Sequence, residues 1–186
     1  MSDYHVQLQC KRLHPDAVLP AKASEEEAGW DMCCIADDLF DRVCGDDIKA
    51  HAAKVRYPCI HTSVMDMYYE NAKIGDRFYV LYPGQSHKFR LGFACAIDPG
   101  YCMLLWDRSG MGANKNIHRL AGVIDCTYRG EWLVSLINLS EDTHVIHTGD
   151  KIIQGIITMV FPGQASWVED LPDSVRGAAG FGSTGR

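Results

Sequence analysis

The sequence contains no long run of apolar residues and no excess of positive charge. Its first segment, MSDYHVQLQCKRL, predicts neither a signal peptide nor a membrane span. The chain has 18 Lys and Arg against 24 Asp and Glu, a net charge of -6. This balance makes duplex nucleic acid a poor partner, whereas a few local arginines suffice for a small anionic ligand. We therefore expect a cytoplasmic protein, in the host cytoplasm if a phage encodes it, without membrane or stable nucleic-acid binding.

The sequence has eight cysteines but no C-x-x-C pair. Without an export signal, these cysteines are expected to be reduced thiols. Cys44, His51, Cys59 and His61 could gather around zinc, but their spacing matches no standard zinc pattern. We predict no metal held directly by side chains, and the zinc alternative stays open.

The sequence contains the glycine pattern of a dinucleotide-binding fingerprint without the structural context that this motif requires. Gly180, Gly182 and Gly185 spell G-x-G-x-x-G, yet the helix that this motif requires cannot follow, which argues against an oxidoreductase. A P-loop is also excluded, because Ser183 stands where that motif needs Lys. Taken alone, such a glycine-rich end is typical of a disordered tail.

Alternation of polar and apolar residues dominates the remainder of the chain, as in HVQLQCKRL. Apolar segments such as RFYVLY and YCMLLW are separated by turn signals at Pro83–Gly84 and Asp98–Gly100. Two hairpins are predicted, around Arg129–Gly130 and around Thr148–Asp150. Many short strands with turns between them indicate an all-β barrel or jelly roll.

One region departs from this pattern. Residues 35–75 are acidic and mixed, and the stretch DDIKAHAAKVR places helix formers after Asp46 and Asp47. We interpret it as a partly helical insertion whose role the sequence does not reveal. The predicted domain covers residues 1–172, followed by a flexible arm over 173–186.

Five short polar or glycine-rich stretches stand beside the apolar segments. They are AGWDM (28–32), DRSGMG (107–112), GVIDCTYRGE (122–131), GDKIIQ (149–154) and GAAGFGSTGR (177–186). Their order and content resemble the five motifs of the trimeric dUTP pyrophosphatases, the dUTPases, over most of the chain. The third and fifth stretches are the most specific. The resemblance implies a distorted jelly-roll β-barrel of the dUTPase type.

The DRSGMG stretch suits a phosphate chain. Arg108, Ser109 and Gly110 offer a guanidinium, a hydroxyl and bare backbone N–H groups, although an ordinary polar turn is the alternative. By resemblance, Ser109 contacts the phosphates near the bond that breaks. The family usually has Pro where this chain has Asp107. An acid there is unfavourable beside a triphosphate unless it points away or helps to hold a metal.

Other motif residues carry chemistry as well. Asp125 ends an apolar segment, where a carboxylate can orient and deprotonate water, or can simply cap a turn. By resemblance Asp125 is the general base, and Tyr128 packs under the deoxyribose and leaves no space for a 2′-hydroxyl. By the same resemblance, Asp31 supports the sugar end of the site, although a buried structural Asp is the alternative. The Gln154 amide can reach a phosphate oxygen or the attacking water, or Gln154 can be an ordinary strand residue.

The glycine-rich end gains a role from the same resemblance. Ordering ten residues costs about 10–20 kcal/mol, which base stacking and several charge-assisted hydrogen bonds nearly offset. We therefore expect an arm that is loose when empty and closes over the nucleotide, with its ring on the uracil and its polar groups on the phosphates. The residues concerned are Arg176, Phe181, Gly182, Ser183 and Thr184.

The activity implied by the resemblance is hydrolysis of dUTP to dUMP and pyrophosphate. It limits uracil in DNA and supplies dUMP for dTMP synthesis. Mg²⁺ is the implied cofactor, held mainly by the substrate phosphates and water. The implied assembly is a homotrimer whose active sites are shared between chains.

Two alternatives remain. A dCTP deaminase shares the fold, but its catalytic Glu and a characteristic Arg are replaced by Ser135 and Ala113. A non-catalytic dUTPase-like module could instead regulate a partner through the 35–75 insertion. An intact Asp125 and C-terminal arm argue against the loss of catalysis.

Overall fold

The computed structural model describes residues 6–36 and 77–178. Within these ranges the chain forms eleven β-strands, paired only in antiparallel fashion, and a single seven-residue helix, which confirms the predicted all-β class. This helix is too short to cross a membrane. The strands are β1 (Leu8–Arg12), β2 (Trp30–Cys33), β3 (Phe78–Leu81), β4 (Ser86–Arg90), β5 (Phe93–Ile97), β6 (Tyr101–Trp106), β7 (Ile117–Arg119), β8 (Val123–Asp125), β9 (Leu133–Asn138), β10 (His144–His147) and β11 (Lys151–Met159), and the helix is α1 (Ser109–Lys115).

The strands are arranged in four small sheets. The largest has the order β2-β11-β6-β8, and a three-stranded sheet has the order β4-β9-β7. The other two are the pairs β1-β5 and β10-β3. Strands far apart in sequence are neighbours in each sheet, so the fold depends on non-local pairing.

A single apolar cluster lies between these sheets. Along β9, Val134 and Leu136 are buried while Leu133 is exposed, as alternation predicts for a half-buried strand. Trp132 and Phe89 are the largest fully buried side chains of the described part. Burial of each such side chain contributes about 1.5–3 kcal/mol.

The two predicted hairpins are wrong in their pairing. The turn after Asp125 is present, with the Tyr128 N–H donating to the Asp125 carbonyl at 3.1 Å, but β8 pairs with β6 and β9 pairs with β4 and β7. Likewise Gly149, with φ of 92°, turns the chain, yet β10 pairs with β3 while β11 joins β2 and β6. Each turn carries the chain from one sheet to another.

Local breaks also escaped the sequence patterns. The segment HKFRLGFACAI is not one strand, because Gly92 adopts φ of 72° between β4 and β5. A Cβ added at Gly92 would lie 2.1 Å from Ile35 Cδ1, so this close approach also requires glycine. The DRSGMG stretch forms α1, which ends at Asn116 in the left-handed conformation.

The expectation that all cysteines are reduced is wrong for one pair. Cys10 on β1 and Cys95 on β5 are directly opposite in the strand register, with Cα atoms 4.2 Å apart, and form a disulfide. Cys33, Cys34 and Cys102 are free and buried. Burial is the largest cause that raises the pKa of Cys34, to about 12, so this thiol is unreactive.

The predicted insertion lies almost entirely outside the described residues, and so do Cys44, His51, Cys59 and His61. The residues on either side of this gap, Ala36 and Arg77, are both hydrogen-bonded to Thr148. The Ala36 N–H donates to Thr148 Oγ1 at 2.9 Å, and the Thr148 N–H donates to the Arg77 carbonyl at 2.9 Å. Both flanks are thus fixed next to the turn that begins β11.

At the other end of the chain, β11 ends at Met159 and residues 160–178 are exposed without forming a strand. Apolar side chains in this segment, including Trp167 and Leu171, are 103% and 83% exposed. The predicted boundary at residue 172 stays a prediction.

His144 links α1 to the loop before β10. Its Nε2 lies 3.1 Å from the Lys115 carbonyl oxygen and 3.0 Å from Ser140 Oγ. Burial, and next the charge of Lys115, lower the pKa of His144 below its ordinary value. The folded state therefore favours the neutral imidazole.

We predict that acid weakens the fold through His144. Because its pKa is lower in the folded state, the unfolded chain binds more protons, and stability is lost as the pH falls below about 6.5. In His144→Gln, an amide N–H can replace the Nε2 donor without titrating. Thermal unfolding between pH 5 and 8 should show a smaller loss toward acid in this variant, and identical slopes for both proteins would contradict the prediction.

Candidate active site

Three chain segments meet at the carboxylate of Asp31 on β2. Arg108, just beyond β6, donates from Nε to Asp31 Oδ1 at 2.7 Å and from Nη2 to Oδ2 at 3.3 Å. Lys151, the first residue of β11, places Nζ 3.0 Å from Oδ2. Burial alone raises the pKa of Asp31, but hydrogen bonds from Lys151 and Arg108 together with their charges hold it below its ordinary value. Asp31 therefore stays ionised and fixes both cations.

The Arg108 guanidinium retains donors for a ligand. Its Nη1 also donates to the Lys151 carbonyl at 3.1 Å. A guanidinium has five N–H groups, and these contacts use three of them. The remaining two can bind an anion without breaking the ion pair with Asp31.

Gln154 lies beside this group on β11, opposite Trp106. Its Nε2 donates to the Asp107 carbonyl at 2.9 Å. A Cβ added at Gly29 would lie 2.6 Å from Gln154 Oε1, so the glycine of the AGWDM stretch makes room for this amide. Asp31 and Gln154, which come from different motifs, are direct partners in the β2–β11 register.

The acid at residue 107 points away from Arg108 and toward β7. Asp107 Oδ2 lies 2.5 Å from His118 Nδ1, and Oδ1 accepts the Arg119 N–H at 3.0 Å. An acid at this position was expected to be tolerated if it pointed away or helped to hold a metal, and the structure shows that it points away. The carboxylate is held by β7 rather than by a ligand.

A cavity of about 500 Å³ opens next to Arg108, with Lys115, Asp150 and Lys151 in its wall. Ser109 and Gly110, at the start of α1, are exposed. Sequence patterns did not identify Lys115 or Lys151 as site residues. Lys151 follows the turn of the GDKIIQ stretch, but Lys115 reaches the cavity through α1, which the sequence did not predict.

A second cavity, of about 250 Å³, lies at the turn between β8 and β9. Asp125 is exposed at the end of β8, and the Tyr128 hydroxyl donates to the Glu131 carbonyl at 3.0 Å. The ring lies over Gly130, where an added Cβ would be 2.4 Å from the Tyr128 hydroxyl oxygen. The residues that line this cavity are Val123, Ile124, Asp125, Tyr128, Glu131, Trp132 and Leu133.

Glu131 fixes this turn to the barrel. Its two carboxylate oxygens accept from Arg90 Nε at 3.0 and 3.1 Å, and Oε1 also accepts the Gly92 N–H at 3.1 Å. The chain on the β9 side of the cavity is therefore held to β4 and to the break before β5.

The two cavities are far apart within one chain. Asp125 pairs with Cys102 on β6, whereas Gln154 pairs with Trp106 on the other side of the same strand. Residues 102 and 106 are about 14 Å apart along β6, and β8 and β11, on its two sides, are about 10 Å apart across the sheet. Because these two directions are perpendicular, Asp125 and Gln154 are roughly 17 Å apart. Asp125 and Gln154 of one chain are therefore too far apart to bind the same atom of a ligand.

The structure thus brings Asp31, Arg108 and Gln154 together, and separately Asp125 and Tyr128. Arg176 lies in the exposed segment after β11. Four further predicted residues lie outside the described ranges, and their roles stay predictions. They are Phe181, Gly182, Ser183 and Thr184.

Within residues 6–36 and 77–178, no three His, Cys, Asp or Glu side chains are grouped closely enough to hold a metal ion. The acidic side chain in the wall of the larger cavity is Asp150.

Known proteins resemble the chain in sequence. The profile of the dUTPase family matches residues 76–185. A deoxyuridine 5′-triphosphate nucleotidohydrolase from Solibacter usitatus is 30% identical over 186 residues, covering 97% of both chains. The corresponding protein of Wolinella succinogenes is 29% identical over 183 residues, covering 97% of this chain and 95% of its own.

Solved structures show the same fold. A dUTPase mutant of Staphylococcus bacteriophage 80alpha, solved with dUpNHpp, has a TM-score of 0.67 and 20% identity, covering 97% of this chain and 99% of its own. A dUTPase mutant from phage phi11 of S. aureus, described with a structural Mg(II) ion, has a TM-score of 0.63 and 18% identity, covering 90% and 99%. These likenesses confirm the predicted fold class. From its family profile and its relatives, the chain belongs to the dUTPase family of deoxyuridine 5′-triphosphate nucleotidohydrolases.

Proposed function

We propose that the chain hydrolyses dUTP to dUMP and pyrophosphate by attack of an Asp125-bound water on the α-phosphorus. The observation that carries the proposal is the pair of complementary cavities, one rimmed by cations at Arg108 and one with an exposed carboxylate beside Tyr128. A nucleoside triphosphate has a matching anionic end and a matching base-and-sugar end.

In the reaction, Asp125 accepts a proton from a water molecule as the oxygen of that water forms a bond to the α-phosphorus. The bond between that phosphorus and the oxygen bridging to the β-phosphate breaks, and pyrophosphate leaves with that oxygen. Asp125 is well suited to this role because it is exposed at a strand end that leads into a fixed turn. Tyr128 packs beneath the deoxyribose.

The phosphate chain binds at the larger cavity. Arg108 contributes its two remaining N–H groups, Ser109 and Gly110 contribute a hydroxyl and backbone N–H groups, and Gln154 contributes the second hydrogen of its amide nitrogen. Asp31 touches no phosphate and instead holds Arg108. These groups offset the negative charge that develops on the phosphate oxygens.

When bound with the substrate phosphates, Mg²⁺ would supply additional charge neutralisation. The chain's own cations near the cavity do the same from fixed positions. Lys115 and Lys151 add positive charge opposite Asp150, so the wall of the cavity has a net positive charge.

The separation of the cavities supports a shared site. Because Asp125 and Gln154 are roughly 17 Å apart in one chain, a complete site requires the turn of one chain beside the phosphate cavity of another. The exposed apolar residues after β11, such as Trp167, support an arm that packs on a neighbour. We propose a homotrimer with the arm closing over the site.

We predict that Asp125→Asn keeps nucleotide binding but abolishes most turnover. The amide retains the shape of the side chain yet cannot accept the proton, and a general base contributes about 10²–10⁴-fold. Pyrophosphate release from dUTP, with dCTP, dTTP and UTP tested in parallel, measures the loss and the specificity. Binding of dUpNHpp by calorimetry is the control, and normal turnover of the variant would remove Asp125 from this role.

We predict that two inactive variants complement each other. Asp125→Asn and Arg108→Gln damage different halves of the site, so mixed trimers contain sites in which both halves are intact. Random mixing of equal amounts by co-refolding should restore about a quarter of the sites, if each site takes its halves from two chains. Each variant refolded alone is the control, and no recovery in the mixture would mean that the sites are not shared.

We predict that Phe181→Ala weakens substrate binding with little effect on the chemical step. Loss of stacking on a base costs about 1–3 kcal/mol, so KM for dUTP should rise about tenfold or more. Hydrogen exchange of residues 176–186 with and without dUpNHpp tests the closing arm directly. Equal protection in both states would contradict closure.

A further inference from the structure

Asp107 connects three elements around the phosphate cavity. Its carboxylate is bonded to His118 Nδ1 at 2.5 Å and to the Arg119 N–H at 3.0 Å, both on β7. Its carbonyl accepts from Gln154 Nε2 on β11 at 2.9 Å. A Cβ added at Gly112 of α1 would lie 3.0 Å from Asp107 Cβ, so the helix also packs closely against this residue.

The position of the Gln154 side chain depends on Asp107 more than the position of the Arg108 side chain does. Arg108 is held independently by Asp31 and by the Lys151 carbonyl. In the described part of the chain, the hydrogen bond of the Gln154 side chain is the one that Nε2 donates to the Asp107 carbonyl. The position of the 107 peptide therefore sets which end of the Gln154 amide faces the Asp107 carbonyl and which end remains available.

We propose that Asp107 and His118 are a positioning pair that fixes the Gln154 amide for its contact with the phosphate chain or the attacking water. The inference deepens the proposed function and rests on it. Neither side chain touches the substrate. The pair acts through the backbone of residue 107, which lies outside any strand or helix and is anchored to β7 by its own carboxylate.

The two ends of an amide have similar shapes but opposite hydrogen-bonding character. A rotated Gln154 would place Oε1 against the Asp107 carbonyl, which is repulsive, so a fixed carbonyl keeps the N–H end in place. If β7 no longer holds residue 107, this constraint weakens. Misplacement of a reacting group by about 1 Å can cost about 10²-fold, so a partial loss of positioning is expected to cost about tenfold.

Two substitutions at residue 118 distinguish the hydrogen bond that His118 makes to Asp107 from the volume of its side chain. In His118→Asn, the amide nitrogen occupies nearly the same place as Nδ1 and can still donate to Asp107, whereas His118→Ala removes the donor. We expect His118→Ala to lower kcat for dUTP about tenfold and His118→Asn to remain within about twofold of the wild type. Asp107→Ala also removes the acceptor of the Arg119 N–H, so it should lose at least as much kcat as His118→Ala. Unchanged turnover in His118→Ala, or an equal loss in His118→Asn, would overturn the proposal.

A double-mutant cycle tests the route through Gln154. If the pair acts only by positioning this amide, His118→Ala should cause no additional loss of kcat in a Gln154→Ala background. Independent, multiplicative losses would show that His118 acts elsewhere and would overturn the proposal. Lys88→Ala, on the exposed side of β4, is a matched surface control expected to have no effect.

Binding distinguishes failure of this inference from failure of the proposed function. The affinity for dUpNHpp, measured in the same variants, should fall about threefold in His118→Ala and be restored in His118→Asn, whether or not turnover is observed. A wild-type chain that binds dUpNHpp but releases no pyrophosphate from dUTP would overturn the proposed function alone. Equal affinities and equal kcat in all variants, with normal wild-type turnover, would overturn the positioning pair alone.

Discussion

The ion pair between Asp31 and Arg108 is the constraint on which the rest of the larger cavity depends. Residues 31, 108 and 151 are far apart in sequence and meet only because β2, β11 and β6 are neighbours in one sheet. Removing a charge from water is costly, and geometry of this quality, with two bonds from Arg108 and one from Lys151, is what offsets that cost. Loss of Asp31 would leave two adjacent cations that repel each other, so the carboxylate sets the shape of the cavity as well as its charge.

The sequence predicted the ends of individual strands better than their partners. Asp125 does end a strand and Arg108 does follow one, because apolar alternation and glycine turns are local signals. The pairing of β8 with β6 rather than β9 is decided by contacts between distant residues, for which a short pattern contains no information. The same limitation hid Lys115, since its place in the cavity wall depends on α1.

Asp107 illustrates why a residue type alone does not reveal its role. From the sequence, an acid beside a phosphate motif was tolerable only if it pointed away or helped to hold a metal, and the residue type did not decide between the two. The direction of its side chain depends on β7, whose position is fixed by pairing with β9, and no pattern within residues 107–112 contains that information. The sequence identified the right position, and only the packing shows that the carboxylate stabilises the backbone next to Gln154.

Net charge and local charge act over different distances in this protein. Salt screens exposed charges that are more than about 8 Å apart at physiological ionic strength. Most of the charges that make up the net charge of -6 therefore have little effect on a triphosphate bound in one cavity. Within that distance, the wall of the larger cavity presents Arg108, Lys115 and Lys151, of which Arg108 and Lys151 are paired with Asp31. Asp107 faces β7, where its carboxylate contacts His118 Nδ1 and the Arg119 N–H. An acidic protein can therefore present a cationic cavity, because three cations line its wall against one carboxylate, that of Asp150.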